Sequence, residues 1–306
     1  MSIDAIGLTK RYGEVIAVDN LTFSVEPGRV TGFLGPNGSG KSTTMRMILG
    51  VDLPTAGQAR VVGQRYEDLQ YTGRTVGALM EARAVDPARS AWNHLRMLAA
   101  CALISDARVD EVVDLVGLSS AADRKVGGFS LGMHQRLGVA AALLGDPEYL
   151  LLDEPTNGLD PEGIRWLRVF FRRLADEGRG LLVSSHLLSE LQLYVDHLVV
   201  IAAGRLLRDV SVQDFVDDVA ESHVRVVTPT PDQLTAVLSA RELGVVADGD
   251  GLRVTGVSAA IVGDIAAANG VVLHELTPVH ESLEEAFLRE TSGKGQYRSG
   301  GTEATS

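Results

Sequence analysis

The stretch Gly35-Pro36-Asn37-Gly38-Ser39-Gly40-Lys41-Ser42 sets two glycines five apart ahead of an adjacent Lys and Ser, the spacing of a loop that cradles phosphate. Glycines at 35, 38 and 40 carry no Cβ, so the loop can fold tightly and turn successive backbone N–H groups toward an anion. The apolar run from Arg29 to Leu34 predicts a buried strand before the loop, and Ser42 to Leu49 predicts a helix after it. The first turn of such a helix adds unpaired amides and the positive end of its dipole. In this pattern Lys41 reaches the β- and γ-phosphates and the Ser42 hydroxyl ligates Mg²⁺. The expected nucleotide contacts are Gly35, Pro36, Asn37, Gly38, Ser39, Gly40, Lys41, Ser42 and Thr43.

A second set of chemical residues lies downstream. Tyr149-Leu150-Leu151-Leu152 predicts an apolar strand that ends in adjacent carboxylates, Asp153 and Glu154. Neighbours on a strand point to opposite faces, so the two would do different jobs: Asp153 can hold Mg²⁺ while Glu154 orients or deprotonates a water. Without the phosphate loop, the pair would read as a solvated strand end. Gly180 to Ser185 predicts another core strand, and His186 ends it, pointing toward the same crevice. Ser130 stands where an N-cap belongs before the apolar run Leu137 to Leu144, and Gly132 allows close approach. It either caps the helix or also receives a phosphate there. Tyr12, in the polar turn Lys10-Arg11-Tyr12-Gly13, is a ring that stacks on adenine or a half-buried turn aromatic.

The elements that must position these groups follow from pattern. Ala5 to Val25 alternates and predicts antiparallel strands, and Val61 to Met80 is expected to return to strands. From Pro87 to Asp146 the pattern is helical, with Val109, Val112, Val113 and Val116 on one face. Arg165, Arg168, Arg172 and Arg173 form a basic stripe on a long helix, expected to be a solvated face. Residues 221–290 predict a small α+β unit of split βαβ type: strands at Val224 to Val227, Gly244 to Ala247, Leu252 to Thr255 and Val271 to Leu276, with helices at Asp232 to Ala240 and Ala259 to Ala268. Ser282 and Glu285 form a capping box, and residues 291–306 have a disordered composition.

Composition bounds the function. The chain has 306 residues and a formal charge of −12, which argues against a nucleic-acid partner held over a broad basic face. Cys101 is the one cysteine, so a disulfide framework is excluded, and its apolar neighbours predict a small core residue. No basic and then apolar leader opens the sequence and no apolar run is long enough to cross a bilayer, so a cytoplasmic chain is expected.

The order of phosphate loop, Phe129-Ser130-Leu131-Gly132-Met133, Asp153-Glu154, Gly158-Leu159-Asp160 and His186 resembles the ATPase subunit of an ABC transporter. The resemblance covers residues 1–220. Gly77 to Glu81 and Ser282 to Leu288 further resemble the bacitracin- and daunorubicin-resistance exporter type. What this implies is an α/β fold: a P-loop ABC ATPase domain with mixed sheet core, antiparallel strand subdomain and helical subdomain at 87–146, followed by the small α+β domain. It implies ATP and Mg²⁺, with Tyr12 as the adenine-stacking aromatic, Ser42 and Asp153 as metal ligands, Glu154 as catalytic carboxylate and His186 as γ-phosphate sensor. Ser130 and Gly132 match residues that contact the ATP of the other protomer. A second, identical ATPase subunit and a separate polytopic membrane permease are the implied partners, at the cytoplasmic face of the cell membrane.

Two departures from the family pattern stand out. Leu131 replaces the usual Gly and Met133 the usual Gln, and Glu81 stands where most members have the Gln that touches Mg²⁺ and answers to the permease. A carboxylate at 81 adds negative charge beside the metal, which should alter metal affinity and coupling. The competing readings are a soluble ABC-type ATPase and a P-loop kinase or GTPase. The first meets a single phosphate loop and no room for a long coiled-coil insertion, and Ser130-Leu131-Gly132 speaks against the second.

Overall fold

The computed structural model describes residues 1–219 and 223–279. They divide into two compact units, the first spanning Met1–Val212 and the second beginning at Gln213. The capping box at Ser282 and Glu285, the segment to Leu288 and the tail at 291–306 lie outside the described residues.

The first unit opens with β1 (Ile3–Tyr12) and β2 (Val15–Val25), a hairpin that β4 (Ala56–Val61) joins on the far side of β1 to make a three-stranded antiparallel sheet. Between β2 and β4 run β3 (Val30–Leu34) and α1 (Lys41–Ile48). All five residues of β3 are buried, as expected of a strand flanked on both edges and covered on both faces. Next come the short helix α2 (Thr72–Thr75) and β5 (Val76–Leu79), then α3 (Ala91–Cys101), α4 (Asp106–Leu115), α5 (Leu131–Leu143) and β6 (Tyr149–Leu152). The chain continues through α6 (Pro161–Asp176), β7 (Gly180–Ser185), α7 (Leu188–Leu191), β8 (His197–Ala202) and β9 (Arg205–Ser211) into α8 (Val212–Val219).

The main sheet has the order β5-β6-β7-β3-β8-β9. All its pairs are parallel except β8 with β9, so the core is mixed. Phosphate loop, carboxylate pair and His186 therefore all leave the sheet at the same, C-terminal edge, where parallel α/β sheets bind ligands. One apolar cluster runs from the antiparallel sheet (Ile3, Phe23) through α1 (Met45, Ile48) to the central strands (Phe33, Leu182).

Two expectations for the first unit need correction. Residues 62–75 do not return to strands. Val62 and Gly63 turn the chain at positive φ, and a 3₁₀ turn (Tyr66–Asp68) and α2 follow before β5 begins. Cys101 is exposed rather than a core residue. It closes α3, whose buried face is Ala91, His94, Leu95 and Ala99, and position 101 falls off that helical spacing. Two of the four arginines of the basic stripe on α6 are ion-paired: Arg172 with Asp196 at 2.6 Å and Arg173 with Glu177 at 2.9 Å.

The second unit contains β10 (His223–Val227), α9 (Pro231–Ser239), β11 (Gly244–Asp248), β12 (Gly251–Thr255), α10 (Ala259–Ala268) and β13 (Glu275–Val279). Its strands form one antiparallel sheet in the order β11-β12-β10-β13, the split βαβ arrangement, and Val224, Val226, Leu234, Leu238, Val254 and Val262 fill its core. The last strand starts later than the pattern predicts. Gly270 at φ 64 and the bond from Val271 N–H to the Ala266 carbonyl close α10, which turns Val271 into the core as a helix stop. Among the described residues, no helix is long and apolar enough to cross a membrane.

The helical segment meets the sheet where α5 backs onto β5, and the two approach so closely that a Cβ at Gly77 would sit 1.9 Å from the Ala142 carbonyl oxygen. Gly77→Ala is expected to cost at least about 1–3 kcal/mol, because a backbone atom must move. Gly73→Ala, where a Cβ meets nothing within 4 Å, is expected to stay within about 0.5 kcal/mol of the parent. Urea denaturation midpoints of the two variants check the contrast.

Candidate functional site

The loop between β3 and α1 is built by close approach. A Cβ at Gly35 would lie 2.5 Å from the Ile201 carbonyl, and one at Gly40 would lie 2.6 Å from the Ala17 carbonyl with φ at 106°. Only glycine fits either place. The first intrahelical bond of α1 runs from Thr44 N–H to the Gly40 carbonyl, so the amides of Lys41, Ser42 and Thr43 have no helical carbonyl to bond. No acidic residue lies in that first turn to quench the positive end. The Ser39 hydroxyl is buried with no hydrogen-bond partner, a group that an incoming oxyanion would satisfy.

Lys41 is 6% exposed and its ammonium donates to the Gly35 carbonyl at 2.6 Å, with Glu154 Oε1 3.4 Å away. The other oxygen of Glu154, Oε2, sits 2.9 Å from His186 Nδ1. Oε1 is buried and takes no hydrogen bond. The carboxylate thus has one oxygen oriented by a ring and the other open toward the ammonium. Its backbone is in the left-handed region at φ 47, which costs a non-glycine residue about 1 kcal/mol and is a feature that recurs at functional sites.

Asp153 points elsewhere, as the strand period requires. Its Oδ1 accepts from the Ser184 hydroxyl at 2.5 Å, and the same Ser184 oxygen accepts from Glu154 N–H at 2.8 Å. Ser184 is fully buried and ties the Asp153 carboxylate and the Glu154 backbone to β7. Sequence reasoning missed it, although a polar residue inside an otherwise apolar core strand is a signal. Also missed was Glu190, which accepts from Thr156 Oγ1 at 2.6 Å just beyond the carboxylate pair.

Tyr12 is 49% exposed, and its hydroxyl donates to Asp52 Oδ2 at 3.0 Å. Burial and the neighbouring Asp52 carboxylate raise the phenol's pKa, while a hydrogen bond with Thr43 pulls it down, which places the ring beside the head of α1. Asp52 is held in turn by Arg46 Nε at 2.8 Å, and that bond lowers its carboxyl pKa. Glu81 is exposed on the loop after β5; Asp153 N–H bonds the Leu79 carbonyl, so this loop leaves the sheet beside the carboxylates.

Ser130 and Gly132 are not brought to the phosphate loop. Ser130 caps α5, its Oγ accepting from Met133 N–H at 3.3 Å. The two line an open cavity of about 410 Å³ with Gly158, Leu159 and Asp160, and no phosphate-loop residue borders it.

The residues suit the groups they are expected to hold. Glycine backbone, an orphan hydroxyl, a buried ammonium and free helix amides fit a polyphosphate. Among the described residues no cluster of three or more His, Cys, Asp and Glu could cage a metal. Ser42 and Asp153 instead offer hard oxygens that suit a Mg²⁺ shared with substrate phosphates.

Comparison with known proteins agrees. The ABC transporter family model matches residues 18–157, and a model for a domain of unknown function matches residues 222–284. The chain is 35% identical over 287 residues to the ABC transporter ATP-binding protein YhcH of Bacillus subtilis, covering 93% of this chain and 94% of that protein. It is 43% identical over 211 residues to the bacitracin transport ATP-binding protein BcrA of Bacillus licheniformis, covering 68% of this chain and 69% of the relative. Among solved structures, the ATP-binding subunit of an ABC transporter aligns at a TM-score of 0.65 and 26% identity, over 71% of this chain and 93% of that one. The fold is also that of a dimeric bacterial ABC transporter cassette, at a TM-score of 0.63 and 23% identity over 69% of this chain and 98% of the other. The chain belongs to the ATP-binding subunits of ABC transporters.

Because the Ser184 hydroxyl both donates to Asp153 and accepts from Glu154 N–H, Ser184→Ala should leave that N–H without its buried acceptor and cost about 1–3 kcal/mol. Chemical denaturation of the variant beside the unaltered chain measures it.

Proposed function

We propose that the chain hydrolyses ATP as one of two identical cassettes that drive a separate polytopic permease at the cytoplasmic face of the membrane, in the direction of export. The observation that carries the reading is the meeting of Lys41, Glu154 and His186 at one sheet edge, with Glu154 Oε1 buried and without a hydrogen-bond donor.

The roles follow from chemistry. Backbone amides of residues 37, 38 and 40–43 and the Lys41 ammonium hold the β- and γ-phosphates, which compete with Glu154 and the Gly35 carbonyl for Lys41. Ser42 and Asp153 hold Mg²⁺, which supplies charge neutralisation of the phosphate oxygens when bound. Glu154 takes the proton of the attacking water through Oε1, and His186 fixes its other oxygen while reaching toward the γ-phosphate. Tyr12 offers its face to adenine. Ser130 and Gly132, apart from their own phosphate loop, contact the nucleotide of the second cassette, so two ATP molecules are sandwiched head to tail. Closure of that sandwich pushes on the permease and hydrolysis reopens it. Glu81, exposed beside the carboxylates, tunes the metal and answers to the permease.

Export rests on the relatives. BcrA is named for bacitracin transport, and a protein of Cupriavidus metallidurans that is 35% identical over 244 residues is named for Nod factor export. Small molecules, antibiotics or lipids are the cargo class this suggests. No observation favours a soluble ATPase without a permease.

Glu154→Gln is expected to lower the hydrolysis rate at least about 100-fold and to accumulate an ATP-bound dimer. Capture of that trapped variant from detergent-solubilised native membranes should bring down a polytopic partner in stoichiometric amount, and an ATP-dependent dimer without one would move the reading to a non-transport ATPase. Asp52→Ala, which frees the Tyr12 ring, is expected to raise the KM for ATP by about three- to tenfold at unchanged kcat, since it removes binding made equally in ground and transition states. Steady-state kinetics decides it.

A further inference from the structure

Leu131, where the family usually has glycine, has a specific seat. The residue it covers is Gly158, at φ 72, where a Cβ would fall 1.8 Å from Leu131 Cδ2 and 2.9 Å from its Cγ. The Leu131 side chain therefore rests directly on the Gly158 Cα. A reciprocal contact runs beside it: a Cβ at Gly132 would meet Leu159 Cδ2 at 3.2 Å. Each element thus presents a leucine to a glycine of the other. Gln135, one turn along α5 and 7% exposed, adds a weak bond from its Nε2 to the Asn157 carbonyl at 3.5 Å.

The turn so held is tied to the catalytic carboxylate. Asn157 N–H bonds the Glu154 carbonyl at 3.1 Å, and Leu159 N–H bonds the Thr156 carbonyl at 3.1 Å. Glu154 itself is in a strained backbone conformation that persists only while its surroundings hold it. Packed contacts between rigid elements pass displacement on, because filled interiors have no slack. A shift of Ser130 at the head of α5 must move Leu131, then the turn at 157–159, and then the backbone of Glu154.

We propose that Leu131 is a positioning residue that couples the two nucleotide sites. Resting on the reading of Ser130 given above, the contact links engagement of the partner's nucleotide by Ser130 to the placement of Glu154 in the same protomer. Glycine at 131 would leave Ser130 able to touch that nucleotide, but with no side chain to carry the movement across to Gly158.

The test uses the full chain carrying Leu131→Gly, Leu131→Ala or Leu131→Met. For the glycine and alanine variants the expectation is a kcat about tenfold lower and a Hill coefficient for ATP reduced to about one, with Leu131→Met retaining both. In the Glu154→Gln background, the ATP concentration that half-assembles the dimer should move less than about threefold, because binding itself is untouched. The alanine variant keeps helix propensity at the first position of α5, so a folding defect in the glycine variant does not decide the result. Unchanged kcat and Hill coefficient in Leu131→Ala would overturn the proposal. So would wild-type kcat with dimer assembly shifted about tenfold or more, which would make Leu131 a direct contact to the partner's nucleotide. A Hill coefficient of about one in the unaltered chain would also overturn it. Absence of any ATP-dependent dimer in Glu154→Gln would instead remove the two-cassette reading, and the proposal with it.

Discussion

The site depends on the register of three parallel strands. Leu34 of β3 lies opposite Ser185 of β7, and Leu152 of β6 lies opposite Val183. The residue that follows β6, Asp153, is thereby level with Ser184, which is why their side chains meet at 2.5 Å. Gly35 leaves β3 beside the end of β7, where its N–H bonds the Ser185 carbonyl at 3.2 Å. A slip of one residue would turn Ser184 to the opposite face and part Glu154 from His186. The register is enforced by burial: every residue of β3, β6 and β7 is buried, and a slip would drive charge into that core.

Within that frame the charges hold one another. A buried ammonium needs a partner, and Lys41 has loop carbonyls and Glu154. Glu154 needs Lys41 and His186 for the same reason. These contacts place an unsatisfied carboxylate oxygen and an ammonium at the mouth of a glycine cradle. A polyanion entering the cradle would compete with that carboxylate for the ammonium. The Ser184 hydroxyl holds the Asp153 carboxylate and the Glu154 backbone, while His186 and Lys41 hold the Glu154 carboxylate, so the two carboxylates keep their separate directions.

The helical segment extends the same logic outward. Ser130 and Gly132 face a cavity of their own, and nothing of the phosphate loop borders it. The turn that follows Glu154 supplies Gly158, Leu159 and Asp160 to the wall of this cavity. The second unit is closed around its own core and holds its strands in the split βαβ order.

How much of this was legible depended on distance along the chain. The phosphate loop, the strand ending in Asp153 and Glu154, the N-cap at Ser130 and the helix and strand order of the second unit are written in local pattern. Apolar periodicity and glycine spacing are properties of neighbouring residues, so sequence alone determined them. The turns at 62–75 are not legible because short turns carry no period, nor is the exposure of Cys101, because apolar neighbours do not say which side of a helix faces in. Only the tertiary structure decided that Ser184 bridges the Asp153 carboxylate and the Glu154 N–H, that Asp52 holds Tyr12, that Glu154 adopts φ 47 and that Leu131 rests on Gly158. Three of these are contacts between residues about 25 to 40 positions apart, and the fourth is strain imposed by such contacts. Packing sets all of them, and packing exists only once the chain has folded.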